Sequence, residues 1–438
     1  MRNNWLAPCR IPVTLLLAIA AVDGGYGLGR SLFGPRRGLD FAQYYVAARC
    51  VITGQPETMY DTGALYQSQA AASGVVGLRT ADGGILEVMT YAYPPLLAYL
   101  AAPLALLTYR LAGYVFSFLS LAALAAAILL LFADREPDRR RTMVLAGIAA
   151  ASVFAPVHQT LHLGQVNCVV FLCCALGLYF ARRSSAWPAG LFIAIAVSIK
   201  LFPLVLLPFF AVRRQFRLLG TTLLFVGVLT GATAAFGGTE MYRLYFSSVL
   251  PRQYFAGAYF ANQGFEGFFT RLFTHNDYVH SLGDYPGAAH VAALVAGLTV
   301  LASTYLVTWK HSSKEPSSYD LGYGLCLAGA LLFQAKSYEH HAVMLLFLFL
   351  FLFEALLYCG ADRQRLLAVV CLSFAVWSFL LTSESEYMKL PKLAIMNVLF
   401  SAKFMATLAL WACGIYWIAV ARQPVASGLP GTPAQTGP

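Results

Sequence analysis

The chain has 438 residues, of which 59% are hydrophobic and only 11% are charged, less than half the charged share of an ordinary soluble domain. Its apolar runs repeatedly reach the length that spans a bilayer, which argues against a soluble fold. The net charge of +10 comes from short basic clusters between these runs. Such clusters are typical of membrane topology signals, so no nucleic-acid partner is expected.

The N-terminus carries Arg2 and Arg10 ahead of the run IPVTLLLAIAAV. This pattern occurs in cleaved signal peptides and in retained first spans. The following VDGGYGLGR is a poor match to a cleavage site, which favours a retained span over residues 11–29. Six of the nine cysteines lie inside apolar runs, and their spacing indicates neither a zinc site nor a disulfide framework.

The apolar runs predict about twelve membrane-spanning helices, with both chain ends on the cytoplasmic side, where basic loops remain. The predicted spans are 11–29, 111–132, 143–160, 165–181, 187–199, 201–212, 218–236, 289–309, 320–336, 341–358, 366–382 and 402–420. Two of them, 187–199 and 201–212, are too short to cross about 30 Å of hydrocarbon. They predict a pair of broken helices that meet at Lys200. The run 93–107 is then a re-entrant or interfacial helix, since a thirteenth span would place every later basic loop on the extracytoplasmic side.

The segments left over share one face, which this topology assigns to the extracytoplasmic side. The long ones are 30–92 and 237–288. Apolar residues recur at helical spacing over 41–72, which predicts one or two amphipathic helices on the membrane surface. The expected architecture is an all-α polytopic membrane protein with a single domain over residues 1–422 and a disordered tail over 423–438.

Polar residues that carry chemistry collect on the same outer face or in the membrane just beneath it. Ionisable groups at the mouth or interior of a helix bundle are costly and therefore mark functional sites. The candidates are Asp40, His158, His162, Gly164, Gln165, Lys200, Asn262, Gln263, Arg271, Glu339, His340 and His341.

Each charged candidate also has a structural explanation. Asp40 could cap the helix that begins near Phe41, because Asp is a preferred N-cap, and capping is compatible with catalysis. Lys200 could extend its amine to the interface, or it could bind phosphate at the ends of broken helices. Arg271 offers a planar fork suited to phosphate, or it could anchor the loop at the interface.

Spacing alone also leaves the roles of the histidine pair and of the amides open. His340 and His341 follow Glu339 and could form a metal pair or a proton relay, although neighbours in a helix point in different directions. The amides in GQVN and in NQGFEGFFTRLF could bind a hydroxyl-rich ligand.

Taken in order, six motifs resemble one family. They are GLDFAQYYVAARCVITGQPETMYD, YAYPPLLAYLAAPLALL, HLGQVNCVVFLCC, AGLFIAIAVSIKLFPLVLLPFFAVRRQFR, NQGFEGFFTRL and SYEHHAVMLLF. Between about residues 38 and 350 the chain resembles glycosyltransferase family 87, bacterial α-mannosyltransferases that use polyprenyl-phosphate sugars. It departs from the family at Gly264, where a Ser is common, and at Tyr338 and Glu339, where Ser-Pro and Trp-Asp precede the histidines. These departures leave the acceptor and the role of Glu339 open.

The resemblance implies a GT-C glycosyltransferase of the bacterial cytoplasmic membrane, with its active site on the extracytoplasmic face. The donor would be a hexose, mannose, on polyprenyl phosphate, and the acceptor a lipid-linked or glycan hydroxyl. Asp40 matches the catalytic carboxylate of the first outer loop and would act as general base in an inverting transfer. No cofactor and no metal site are expected.

The resemblance also suggests roles for the other candidates. One of His340 and His341 would hydrogen-bond the phosphate or orient Asp40. The expected substrate-binding residues are Lys200, Arg271, Gln165, Asn262, Gln263, His162 and Glu339.

Three other classes of protein share this composition. A polytopic transporter usually shows an internal repeat and midplane polar groups, whereas no repeat is visible here and the candidates favour one face. A surface-polysaccharide polymerase or ligase is the nearer alternative, and it would use a diphosphate-linked donor. A structural subunit of an envelope assembly is the non-enzymatic alternative.

Overall fold

A computed structural model describes residues 39–61, 89–253, 257–311, 316–358, 364–380 and 391–420, together with the isolated positions Gly25, Gly27, Gly29, Gln67 and Ala70. In this part of the chain all regular secondary structure is helical. Helices satisfy their backbone hydrogen bonds internally, which is the requirement a bilayer imposes. The predicted first span, apart from three glycines, and the tail 423–438 lie outside the described residues.

The helices are found where the apolar runs predict them. In chain order they are α1 (Leu39–Ile52), α2 (Leu96–Ala101), α3 (Tyr109–Leu131), α4 (Pro137–Val153), α5 (Ala155–Leu163), α6 (Asn167–Arg182), α7 (Ala186–Ile199), α8 (Leu206–Val212), α9 (Phe216–Gly237), α10 (Glu240–Leu244), α11 (Leu250–Gln253), α12 (Phe265–Phe273), α13 (Pro286–Lys310), α14 (Pro316–Phe333), α15 (Leu345–Tyr358), α16 (Gln364–Phe379), α17 (Met396–Phe400) and α18 (Ala402–Val420). Short 3-10 turns cover Pro56–Tyr60, Ala102–Leu106, Phe202–Val205 and Glu339–Met344, and a π turn covers Tyr245–Val249.

The lengths of the helices support fewer membrane crossings than the twelve predicted spans. Among the described residues, five helices are long and apolar enough to cross a membrane, namely Tyr109–Leu131, Phe216–Gly237, Pro286–Lys310, Glu339–Tyr358 and Ala402–Val420. The bent pair α4 and α5 makes a sixth if it is one span. The remaining apolar helices, including the 11-residue Leu96–Leu106 segment, are shorter than a bilayer is thick. The count of twelve is therefore not confirmed.

Two breaks shape the region that carries the polar candidates. As predicted, α7 ends at Lys200, whose backbone is extended with φ −142° and ψ 135°. A second break was not predicted, because α4 and α5 meet at 61° within the single apolar run 143–160. Phe154 leaves the helical conformation there with φ −81° and ψ 109°, and Pro156 lies in the first turn of α5, where a proline is tolerated.

Helix α1 does not lie on a surface as the sequence analysis expected. Residues 41–48 are all buried, because α1 packs against α2, against the Ala102–Leu106 turn and against the start of α3. The hydroxyl of Tyr45 donates to the carbonyl of Leu107 at 2.7 Å. A helix with apolar residues on nearly every side is most stable when all of its sides are buried.

The longer helices form two groups that meet at the Glu339–Met344 turn. In the first group α3 packs on α6, α6 on α7, and α7 on α9. In the second group α13 packs on α14, and α14 and α16 pack on α18. The Glu339–Met344 turn contacts α5, the start of α6 and α15, so this junction gathers elements that are far apart in sequence.

The opposite end of these helices is closed by a buried network of charges. Arg135 pairs with Asp320 at 2.6 Å and with Glu354 at 2.7 Å, while Arg182 pairs with Asp320 at 2.8 Å and Arg139 with Glu354 at 2.7 Å. Both carboxylates are almost completely buried. Since α6 begins at the junction and ends at Arg182, this network and the junction lie at opposite ends of the molecule.

Candidate active site

A half-buried carboxylate, that of Asp40, lies in the first turn of α1. Its Oδ2 accepts a hydrogen bond from Gln165 Nε2 at 2.7 Å, and its Oδ1 accepts one from Gln43 Nε2 at 3.1 Å. Burial raises the pKa of Asp40 above its usual value, against the opposing effects of Gln165, the charge of Lys200 and Gln43. The side chain is thus oriented on both oxygens and more basic than a solvent-exposed aspartate.

Gln165 reaches Asp40 because of the turn that ends α5. Gly164 adopts the left-handed conformation with φ 68° and ψ 41°, which glycine adopts at little cost. The N–H of Gln165 then donates to the carbonyl of Thr160 at 2.8 Å, closing the Schellman-type end of the helix. His162 belongs to the last turn of the same helix.

The orientation of the Gln165 amide is fixed by three donors on its oxygen. Oε1 accepts from the hydroxyl of Tyr44 at 3.0 Å, from the hydroxyl of Tyr93 at 3.0 Å and from Lys200 Nζ at 3.2 Å. Its NH₂ group must therefore face Asp40, since only that group can donate.

Lys200 lies on the far side of Gln165 from Asp40. Its Nζ donates to Asn167 Oδ1 at 2.7 Å and stands 5.3 Å from the centre of the Tyr93 ring. Asn167 Nδ2 in turn donates to the carbonyl of His340 at 2.7 Å. One amide, Gln165, thus separates a carboxylate from a buried ammonium group.

The two histidines are in contact with each other but have different partners. Their ring centres are 4.4 Å apart in a T-shaped arrangement. Nδ1 of His341 lies 3.0 Å from the carbonyl of Lys336 and 3.2 Å from Nε2 of Gln334, so this ring supports the turn that precedes it. The backbone of His340, by contrast, is bound by the side chain of Asn167.

Glu339 has a buried cation as its partner. Lys403 Nζ forms an ion pair with Glu339 Oε1, and the Lys403 side chain is only 1% exposed. Sequence reasoning missed Lys403, because it lies in the apolar helix α18 and comes close to Glu339 only in the folded chain.

Arg271 is buried completely and is held by protein groups rather than open to a ligand. It donates to the carbonyls of Tyr259 at 2.9 Å and Asn262 at 3.1 Å, to Asn397 Oδ1 at 3.0 Å and to Ser401 Oγ at 2.9 Å. These contacts join the loop before α12 to α17. The phosphate-binding role expected for Arg271 stays a prediction.

The amides of Asn262 and Gln263 also serve the backbone. Asn262 donates to the carbonyl of Ala335 at 2.8 Å and accepts from the N–H of Ser337 at 3.0 Å. Gln263 donates to the carbonyl of Phe400 at 2.8 Å. They hold the turn before the histidines and do not contact Asp40.

The predicted residues thus fall into two neighbouring sets. The first is a network of Asp40, Gln165, Lys200 and His340, and the second surrounds the 334–339 turn and contains Asn262, Gln263, Arg271, Glu339 and His341. Sequence reasoning missed Gln43, Tyr44 and Tyr93, although all three lie inside the quoted motifs, and it singled out Asn167 only as one of the amides in GQVN. In the described part of the chain, no three His, Cys, Asp or Glu side chains are placed to hold a metal ion.

Three mannosyltransferases are similar to this chain. It is 30% identical over 250 residues to the polyprenol-phosphate-mannose-dependent alpha-(1-2)-phosphatidylinositol mannoside mannosyltransferase of Mycobacterium tuberculosis, over 52% of this chain and 54% of the relative. It is 30% identical over 230 residues to the protein of the same name from Mycolicibacterium smegmatis, over 49% of this chain and 47% of that one. A pentamannoside mannosyltransferase from M. tuberculosis is 26% identical over 285 residues, over 63% of this chain and 60% of the relative. The chain therefore spans about half the length of the curated relatives it matches.

A model of glycosyltransferase family 87 matches residues 91–335, which is more than half of the chain. The matched region contains Tyr93, Gln165, Asn167 and Lys200, and so most of the network that binds Asp40. The helical fold agrees with the GT-C membrane architecture of that family. The chain belongs to glycosyltransferase family 87.

Proposed function

We propose that the protein is a membrane mannosyltransferase that transfers mannose from a polyprenyl-phosphate donor to a hydroxyl group of a lipid-linked or glycan acceptor. The observation that carries this proposal is the network in which Gln165 binds Asp40 through one end of its amide and Lys200 through the other. Transfer from a sugar phosphodiester needs a base for the acceptor hydroxyl and positive charge near the departing phosphate. The relatives' names supply the donor and suggest a glycolipid acceptor, since they specify phosphatidylinositol mannosides.

Asp40 acts as the general base in this mechanism. The acceptor oxygen forms a bond to the anomeric carbon while its proton passes to the Asp40 carboxylate. The bond from that carbon to the phosphate oxygen breaks, and its electron pair leaves with the phosphate. Attack opposite the phosphate inverts the anomeric centre, so a β-linked donor gives an α-linked product.

Lys200 stabilises the negative charge of the departing phosphate. An ammonium group has three N–H donors, and within the described residues two of them bind the amide oxygens of Gln165 and Asn167. The third is directed to the phosphate, with the His340 ring as a further partner. Positive charge placed in advance in a site that excludes water is worth far more than in solution.

The proposed site lies on the extracytoplasmic face of the bacterial cytoplasmic membrane. The basic segments 134–141 and 181–185 surround the Arg135 and Arg182 end of the helices, and basic loops favour the cytoplasmic side. Asp40 and its partners occupy the other end. The acceptor would then approach the face formed by segments 30–92 and 237–288.

The proposal is tested by transfer of radiolabelled mannose from polyprenyl-phosphate mannose to a membrane lipid extract. Purified wild type is compared with Asp40→Asn, which keeps the size of the side chain but cannot take the proton. We expect transfer by wild type and a loss of about 10²–10⁴-fold in the variant, the usual contribution of a general base. Glu240→Gln is the matched control, because Glu240 is an exposed acid in another helix of the same face.

Equal transfer by wild type and Asp40→Asn would contradict the base assignment. Absence of transfer by wild type with this donor, in protein that passes the same folding checks as its variants, would contradict the donor assignment.

A further inference from the structure

A concave surface lies beside the proposed site. This cleft has a volume of about 410 Å³, which is within the usual size of ligand sites. It lies between the Pro56–Tyr60 turn, residues 90–92 and the 244–253 segment. Its lining residues include Glu57, Tyr60, Asp61, Tyr91, Arg252 and Gln253. Asp40 and Gln165 are not among the described residues that line it, so the cleft adjoins the proposed base without containing it.

The chemistry of the cleft suits a neutral polyhydroxy ligand. The hydroxyl of Tyr60 donates to the carbonyl of Tyr93 at 2.7 Å, and that of Tyr91 donates to the carbonyl of Pro94 at 2.9 Å. With their hydroxyls so engaged, Tyr60 and Tyr91 form a packed part of the cleft wall, since Tyr60 is only 7% exposed and Tyr91 only 1%.

Polar groups surround these rings with both acceptors and donors. Glu57 and Asp61 supply carboxylates, Arg252 a guanidinium group and Gln253 an amide. Carboxylates accept from hydroxyl groups, while the guanidinium and amide groups donate to them. Among the described residues that line the cleft, two are acidic and one is basic, which favours hydroxyl groups over a phosphate.

The cleft is connected to the proposed site on both walls. On one wall the ring centres of Tyr60 and Tyr91 are 5.6 Å apart, those of Tyr91 and Tyr93 are 5.8 Å apart, and Tyr93 binds Gln165. On the other wall Gln253 Oε1 accepts from Lys336 Nζ at 3.3 Å. A ligand in the cleft is therefore next to Asp40 but displaced from it by several side chains.

We propose that the cleft binds a sugar of the acceptor other than the one that carries the attacking hydroxyl. This inference rests on the proposed function for the identity of the acceptor. It predicts that the acceptor carries more than one sugar, with one unit at Asp40 and another held by Glu57 and Arg252. The cleft then determines which acceptors are used, since a shorter glycan leaves it empty.

The test measures binding of radiolabelled methyl α-oligomannosides of one to four residues to the full-length purified protein, without donor. We expect the longer probes to bind at least tenfold more tightly than the monosaccharide. Glu57→Gln and Arg252→Ala should abolish this difference, because each removes a charged partner of the distal sugar. Glu240→Gln and Arg243→Ala are matched controls, since these residues form an exposed pair in α10 outside the cleft.

Equal binding of short and long probes by wild type would overturn the proposal, as would undiminished binding of the long probes by both cleft variants. All four substituted residues are exposed, so the variants should fold alike, and size-exclusion profiles check this. The transfer assay is a separate readout. Binding that depends on length and on Glu57, in a protein that transfers no mannose, would support the sugar cleft and contradict only the proposed donor.

Discussion

Asp40 is the residue whose protonation state limits the proposed transfer, because only its ionised form accepts a proton. Burial raises the pKa of Asp40, while the hydrogen bond from Gln165 and the positive charge of Lys200 lower it again in part. We therefore expect kcat/KM to fall as the pH falls through this raised pKa. The acid limb should lie at a higher pH than a solvent-exposed aspartate would give.

Lys200→Met tests how Lys200 acts on Asp40. Loss of the positive charge removes one of the effects that lower the pKa of Asp40, so the acid limb should move to higher pH. The plateau of kcat/KM should also fall by about 10²–10³-fold, as for the removal of one preorganised donor. The measurement is the pH profile of transfer, with Lys310→Met as control because Lys310 is exposed at the end of α13. An unshifted acid limb would show that Lys200 has no influence on the base.

The sequence predicted the ionisable members of the network but not their neutral partners. Asp40 and Lys200 stand out because a charge near apolar runs is costly and needs a reason. Tyr93 is one of 24 tyrosines, and nothing in its spacing distinguishes it. Its hydrogen bond to Gln165 joins residues 72 positions apart, and such pairing is visible only in the folded chain.

The turn between α5 and α6 is the element that places two amides in the site. Gly164 turns the chain through a left-handed conformation, after which Gln165 and Asn167 both reach Lys200. The order Gly-Gln-Val-Asn therefore has a geometric explanation, because the two amides that bind Lys200 flank Val166, which is buried.

Gly164→Ala tests this explanation. An alanine in the left-handed conformation costs roughly 1–2 kcal/mol. We expect a lower thermal midpoint in detergent and a larger loss of transfer than the midpoint alone predicts, since Gln165 moves with the turn. Gly220→Ala is the control, because that glycine lies in α9 with open space around its position. Full activity of Gly164→Ala would mean that the amides do not depend on this turn.

At the level of elements, apolar runs predicted the helices and the break at Lys200, but not the bend at Phe154 or the burial of α1. The length of an apolar run does not show whether its helix is bent, since Pro156 fits the first turn of a new helix as well as the interior of a kinked one.

The outer loop residue Arg271 was predicted as a ligand-binding group. Its partners Asn397 and Ser401 come from α17 and the residue after it, and no local pattern reveals them.

At the scale of the molecule, the charge network at the end opposite to Asp40 holds α4, α6, α14, α15 and the loop that carries Arg135 together. Breaking a buried pair leaves charges without partners, which typically costs about 3–5 kcal/mol. We expect Glu354→Gln to lower the free energy of unfolding by roughly this amount, because Arg135 and Arg139 both pair with Glu354. Denaturant unfolding in detergent measures it. A loss no larger than that of the exposed control Glu240→Gln would show that the network does not stabilise the fold.

The two ends of the bundle differ in the contacts that hold them. Ion pairs of Arg135, Arg139 and Arg182 close one end, whereas hydrogen bonds of amides and hydroxyls, beside the Lys403–Glu339 ion pair, close the end with Gln165. Amides and hydroxyls exchange partners with ligands and water at little cost. The proposed lipid donor would have to enter and leave sideways between helices. We therefore expect the helices to separate more readily at the end with Gln165 than at the end with the arginines. Hydrogen exchange in detergent should then be faster at 163–167 and 339–344 than at 131–135 and 350–354, and the reverse order would place the pivot at the other end.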